Sequence, residues 1–139
     1  MYRNLMVVLV VYVIFGCTSQ RFYEGAIYIV NSCGKTIHVT ANHYTSSISP
    51  VEEGDATQFE LSRQERKVVA VFTLARSDKN IAYLFSEEGE DFQIKVSDGK
   101  REKVFHGQQL YRLSVNVTSG RDRKHDDVNY EIRSKEICP

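Results

Sequence analysis

The side chains able to bind a metal, move a proton or attack a carbonyl fall in four places along this 139-residue chain. His38 and His43 are five residues apart, which on a strand sends them to opposite faces. They would converge on one zinc ion only if Asn42 bent the chain. His125-Asp126-Asp127 has the types for metal binding or for orienting a base, but it lies in a mixed-charge run with no nucleophile beside it. Glu87, Glu88, Glu90 and Asp91 flank Gly89 in the manner of a cation loop. They lack the alternating acids and distal glutamate of an EF-hand, so an acidic turn is the expectation. No Gly-x-Ser-x-Gly elbow and no glycine-rich phosphate loop occur. No metal site, no cofactor and no enzymatic activity are therefore expected.

The fourth place is the set of three cysteines, Cys17, Cys33 and Cys138. Met1-Tyr2-Arg3-Asn4 precedes the uncharged run Leu5 to Phe15, and small or polar residues come after it. A short basic start, an apolar stretch of this length and a small-residue exit have the form of a signal peptide. A membrane-spanning helix needs about 20 apolar residues, more than this run supplies. At the exit, Ile14-Phe15-Gly16-Cys17 resembles the lipobox of bacterial lipoproteins, although Ile14 stands where Leu is usual and Phe15 where a small residue is usual. The resemblance covers only the first 20 or so residues. It implies cleavage before Cys17, a lipid on its sulfur and acylation of its new amino terminus. Residues 1–16 would then be signal, 17–25 anchor and short tether, and 26–139 one domain. With Thr18 rather than Asp after the cysteine, the sorting habit of enteric lipoproteins implies the outer membrane, facing the periplasm. The alternative is cleavage near Ser19, which leaves a soluble secreted protein.

Either cut consumes Cys17 and leaves Cys33 and Cys138 as an even pair in an oxidising compartment. They enclose 138 − 33 = 105 residues, and a loop of ~100 residues gives about 4–5 kcal/mol in the chain-entropy model. Removing Arg3 with the signal leaves 17 basic against 18 acidic residues. That balance argues against nucleic acid and against a membrane surface bound by charge. The expected contacts are the membrane, through the N-terminal lipid, and a protein partner in the envelope. Oligomeric state stays open.

A period of two runs through most of the chain beyond Cys33. Ile37, Val39 and Ala41 alternate with polar residues, as do Phe92, Ile94 and Val96. Tyr111, Leu113, Val115 and Val117 do the same, and so do Val128, Tyr130 and Ile132. Each predicts a strand with one dry face and one wet face. Ala26 to Val30, Val68 to Ala75 and Ile81 to Phe85 are apolar on both faces and predict central strands. Asp98-Gly99 predicts a hairpin between residues 92–96 and 103–105, and residues 43–55 form the longest expected loop. The pattern predicts an all-β fold, a single antiparallel β-sandwich closed by one disulfide, with a small closed barrel as the alternative.

The stretch IYIVNSCGKTIHVTA, residues 27–41, is similar to the opening of thaumatin-like proteins, in which a strand ends in Asn-x-Cys, turns and returns. In that family this cysteine pairs with the last one, in a terminal Cys-Pro, and here the chain closes on Cys138-Pro139. The resemblance implies a Cys33–Cys138 bridge and a β-sandwich. It carries no activity across, because the family's other cysteines and its length are absent.

Two function classes remain. A binding or inhibitory lipoprotein would use protruding loops, as periplasmic lysozyme inhibitors and immunity proteins do. Candidate partner-binding residues are His43, Tyr44, Ser46 and Ser47 in one loop, and Arg121, Arg123, His125 and Asp126 in another. The alternative is a structural subunit of an envelope assembly, like the small sandwich lipoprotein of type VI secretion systems.

Overall fold

The computed structural model describes residues 25–52, 54, 56–73, 81–117 and 128–139. Alternation becomes geometry at once. In β1 (Gly25–Val30) Ile27 and Ile29 are fully buried while Tyr28 is only partly so, and in β2 (Ile37–Asn42) Ile37, Val39 and Ala41 are buried between more exposed neighbours. The remaining strands are β3 (Ile48–Ser49), β4 (Ala56–Leu61), β5 (Arg66–Phe72), β6 (Gln93–Ser97), β7 (Glu102–His106), β8 (Ser114–Asn116) and β9 (Val128–Ile132). They form two sheets, in the orders β3-β5-β1-β9-β8 and β4-β2-β6-β7. The core lies between them, with Ile27, Ile29 and Phe72 from the first sheet and Val39, Ile94 and Val96 from the second.

Neither sheet closes on itself, so the fold is a sandwich and the barrel alternative falls. The pairings are antiparallel except one: β9 runs parallel to β1, with Gly25 opposite Val128 and Ile29 opposite Ile132. The approach is closest at Gly25, where a Cβ would lie 1.8 Å from the Val128 carbonyl oxygen. Only glycine fits there.

Four expectations need correction. Residues 81–85 are not a strand but helix α1 (Ile81–Tyr83), which continues as a π-helical turn, Leu84–Glu88. Ile81, Leu84 and Phe85 are the buried residues, and their i, i+3, i+4 spacing is a helical stripe inside a short apolar run. Tyr111 to Leu113 likewise end helix α2 (Gly107–Leu113), whose buried residues are Gly107 and Leu110. The Ser114 hydroxyl donates to the Leu110 carbonyl at 2.6 Å and closes the helix just before β8. On β9, alternation assigns Glu131 to the wet face, yet it is only 4 % exposed. Arg66 holds it at 2.8 Å and Arg133 at 2.6 Å, and the Arg66 guanidinium also lies 3.4 Å from the centre of the Tyr28 ring. The loop expected over 43–55 contains the short strand β3, paired to the end of β5.

The turn between β1 and β2 is organised from inside. Asn31 is completely buried, and its amide donates to the Lys35 and Leu61 carbonyls, each at 2.9 Å. Its side-chain oxygen accepts the Cys33 N–H at 2.9 Å. Its own N–H and carbonyl pair with Glu65 and Gln64. Beside this knot Cys33 is bonded to Cys138, with Cα atoms 5.6 Å apart. Across the same end, Asp98 sits in the β6–β7 turn with its side chain 1 % exposed. It bonds Lys35 and accepts the N–H groups of Lys100 and Arg101, while Gly99 supplies the positive φ of 85° that the turn needs. Lys35, and after it these two backbone donors, hold the Asp98 carboxyl well below the usual carboxylate range.

Two outcomes are expected at this end. Asn31→Ala leaves the buried Cys33 N–H unpaired and takes from the Leu61 carbonyl the second of its two donors, and should cost about 1–3 kcal/mol in urea unfolding with the disulfide intact. A cost below ~1 kcal/mol would refute the role given to it. Because the folded-state pKa of Asp98 is lowered from 3.8, its contribution is present above about pH 4 and is lost as pH falls further. The gap in urea midpoint between the parent and Asp98→Asn should be full at pH 6 and shrink below about pH 4; a gap independent of pH would exclude the linkage.

Candidate functional site

The strands give the sandwich two unlike ends. At one lie Asn31, the disulfide and the Asp98 turn. At the other lie the start of β1 at Gly25, the ends of β2 at Asn42 and of β5 at Phe72, and the start of β9 at Val128, because Gly25 pairs with both Phe72 and Val128. The loop after β2 therefore shares an end with the point where residues 1–24 join the domain.

That loop is built rather than slack. His43 takes a left-handed conformation, φ 54°, which turns its exposed side chain out of the sheet. Tyr44, a candidate for facing a partner, is instead half-buried, with its ring 5.4 Å from that of Phe92. Its hydroxyl donates to the Val69 carbonyl at 3.0 Å and shares a hydrogen bond with the Thr57 hydroxyl at 2.8 Å. Burial pushes the Tyr44 hydroxyl pKa up. Thr45 closes the turn: its side-chain oxygen accepts the N–H groups of Ser47 and Ile48, and its own N–H donates to the Ile48 carbonyl. Ser47 is half-buried and its carbonyl is taken by the Thr73 N–H. Of the four candidates here, His43 and Ser46 are presented outward while Tyr44 and Ser47 hold the loop in place. Arg121, Arg123, His125 and Asp126 lie outside the described residues, as does Cys17. Val117 and Val128, which border 118–127, lie at the sheet edge and at this same end.

Two further surfaces escaped sequence reasoning. On the flank where both sheets end, a groove of about 680 Å³ is lined by Phe105, Gln109, Arg112, Leu113, Val115, Arg133, Ser134 and Glu136. Val115 is 59 % exposed there, and Tyr111 and Val117 are also exposed. The alternation of residues 111–117 predicts a dry face, and only the fold reveals that nothing described covers it. A smaller recess of about 260 Å³ brings Ser86, Glu90 and His106 together. These are the residue types of a hydrolytic triad, yet no hydrogen bond joins any two of them. Without a base bonded to it, Ser86 is an ordinary alcohol.

The histidines considered for a metal are apart in role as well as in face. His38 lies on β2 with Nδ1 3.3 Å from the Glu60 carboxylate, both side chains more than half exposed. Among the described residues, no three His, Cys, Asp or Glu side chains are grouped closely enough to hold a metal ion.

Tyr44→Phe tests whether the loop is held from beneath. The buried Val69 carbonyl loses its donor, and stability should fall by about 1–2 kcal/mol while the Phe92 contact survives. Amide hydrogen exchange at residues 44–48 should quicken more than at β2; unchanged exchange would show that the hydroxyl does not position the loop.

Comparison of the chain with protein-family models, with curated proteins and with solved structures finds no match in any of the three, so the reading of this end of the sandwich stands on its geometry.

Proposed function

We propose that the chain is a membrane-anchored envelope lipoprotein whose sandwich is a non-catalytic protein-binding module, working through the end at which its tether joins. The observation that supports this is the shared position of Gly25 with the outward-facing His43 and Ser46. A lipid on Cys17 would leave residues 17–24 as tether, and eight residues reach at most about 26–29 Å when fully extended. The His43–Ser47 loop would then work within that distance of the bilayer. Acyl chains contribute about 0.8 kcal/mol per buried CH₂, so several on one cysteine hold the domain there permanently. A partner met at the membrane surface fits this arrangement better than one met in free solution. A rigid loop suits the task, since little ordering entropy remains to be lost on binding.

The test places a photo-crosslinking residue at Ser46, or at Gly34 by the disulfide, in the full chain at native level in its own cells. Gly34 has open space around a built Cβ, so the control disturbs nothing. The expected result is a mature chain that begins at Cys17, carries lipid mass and partitions with membranes. Ser46, and not Gly34, should cross-link to one discrete protein, and Cys17→Ser should abolish both. A soluble mature chain beginning near Gln20 and indifferent to Cys17→Ser would overturn the anchor. Equal cross-linking from Gly34 would overturn the choice of end.

A further inference from the structure

We propose that β7 is a docking edge for a second copy of this chain, two β7 strands pairing antiparallel about a two-fold axis at Val104. The first observation is the state of the edge. The Asp98 N–H donates to the Arg101 carbonyl across the β6–β7 turn, so Val96–Lys103 and Ile94–Phe105 are the pairs that exchange both bonds. The N–H and C=O groups of Glu102 and Val104 then point to the open side, and no described group bonds them. The same alternation on β4, the opposite edge of this sheet, sends the Glu60 carbonyl outward, and there Lys67 Nζ caps it at 3.2 Å. On β8 the edge is three residues long, and its Ser114 N–H is already given to the Tyr111 carbonyl. On β4 the outward groups of Ala56 and Gln58 are open as well, but along β7 no described group caps any of them, and natural sheets seldom leave such an edge without a use or a block.

The second observation is what the strand would meet in its own copy. A two-fold at Val104 sets Glu102 opposite His106, Lys103 opposite Phe105 and Val104 opposite itself. Glu102, whose carboxylate lies 3.7 Å from Lys95 in the single chain, would face the imidazole of His106, which can donate a hydrogen bond, and Val104 would face its own copy, apolar on apolar. Val104 is 42 % exposed in the single chain and would be covered. The neighbouring symmetric registers are centred on Lys103, which opposes Lys103 to itself, and on Phe105, which runs past His106 into helix α2 and pairs only residues 104–106, so like charge disfavours the first and the shorter ladder the second. An inward-pointing lysine is a common block against edge pairing. Here Lys103 is not stray, because Nζ donates to the Glu136 carbonyl at 3.0 Å. The result is an isologous dimer in which the two four-stranded sheets become one continuous sheet. The two-fold also puts the two Gly25 ends on opposite sides of the pair, so a dimer anchored through both N-termini would lie along the bilayer rather than stand on it. The pairing does not depend on the anchor, and each can fail without the other.

The test uses the full chain carrying Glu102→Cys with His106→Cys, oxidised by copper–phenanthroline and read by non-reducing electrophoresis and intact mass. Facing residues of a bonded antiparallel pair have Cα atoms ~5.5 Å apart, within disulfide reach. A covalent dimer of twice the chain mass is expected, with at least tenfold less from Glu60→Cys on the opposite edge. Adding Val104→Pro removes an N–H that faces solvent in the single chain, a place where a sheet tolerates proline. It should cut the dimer tenfold or more while circular dichroism and thermal midpoint stay close to those of the parent. Monomer only, a dimer insensitive to Val104→Pro, or a cross-linked species with a different protein would each overturn the proposal.

Discussion

A single buried amide, that of Asn31, sits where three lengths of backbone meet and supplies the hydrogen bonds that none of them can give the others. Its two donors and one acceptor satisfy Lys35, Leu61 and Cys33 in a place from which water is excluded. An aspartate could not donate to those carbonyls and an alanine could do nothing, so the β1–β2 turn depends on this residue type. The disulfide is then set beside a turn already fixed. With Cys33 held in position, Cys138 draws the chain's last residues against the start of the domain, and β9 can lie next to β1 in parallel.

That parallel contact separates the ends of the molecule by role. The disulfide end is crowded with internal bonds, and Lys35 and Arg101 there are drawn to Asp98. The opposite end carries the entry of the chain, helix α1 with its π-helical turn, the first residues of α2, and a loop whose tyrosine is pinned beneath it. Internal bonds gather at one end and outward-facing loop residues at the other, which is the division that the proposed anchoring and binding would use.

The flanks obey a different constraint. Helix α2 interrupts what would otherwise be a long strand, and β8 is left only three residues long. The groove on this flank, with Phe105 and Leu113 on its walls, exists because two residue patterns compete within residues 107–117. Leu110 is buried by helical spacing, Val115 belongs to the ladder, and the helix wins up to Leu113. The hydrophobic strip that results is a matter of which neighbour each apolar residue lacks.

Much of the fold was legible in the residues themselves. Period-two alternation marked β2, β6 and β9, the apolar run marked β1 as central, and Asp98-Gly99 marked the hairpin, because side-chain direction in a strand is fixed by the backbone. Parity of the cysteines and the terminal Cys-Pro pointed to the bridge. The helical spacing of Ile81, Leu84 and Phe85 was present too, but five apolar residues are too few to tell a strand from a buried helical turn. Adjacency, by contrast, belongs to the packed fold. The parallel seating of β9, the burial of Glu131 between two arginines and the pinning of Tyr44 arise largely from contacts between residues 25 to 103 positions apart in sequence, and no local pattern encodes a partner that far away. For the same reason a disulfide-closed sandwich can be read from the chain alone, while packing settles which residues it presents and which edge it leaves open.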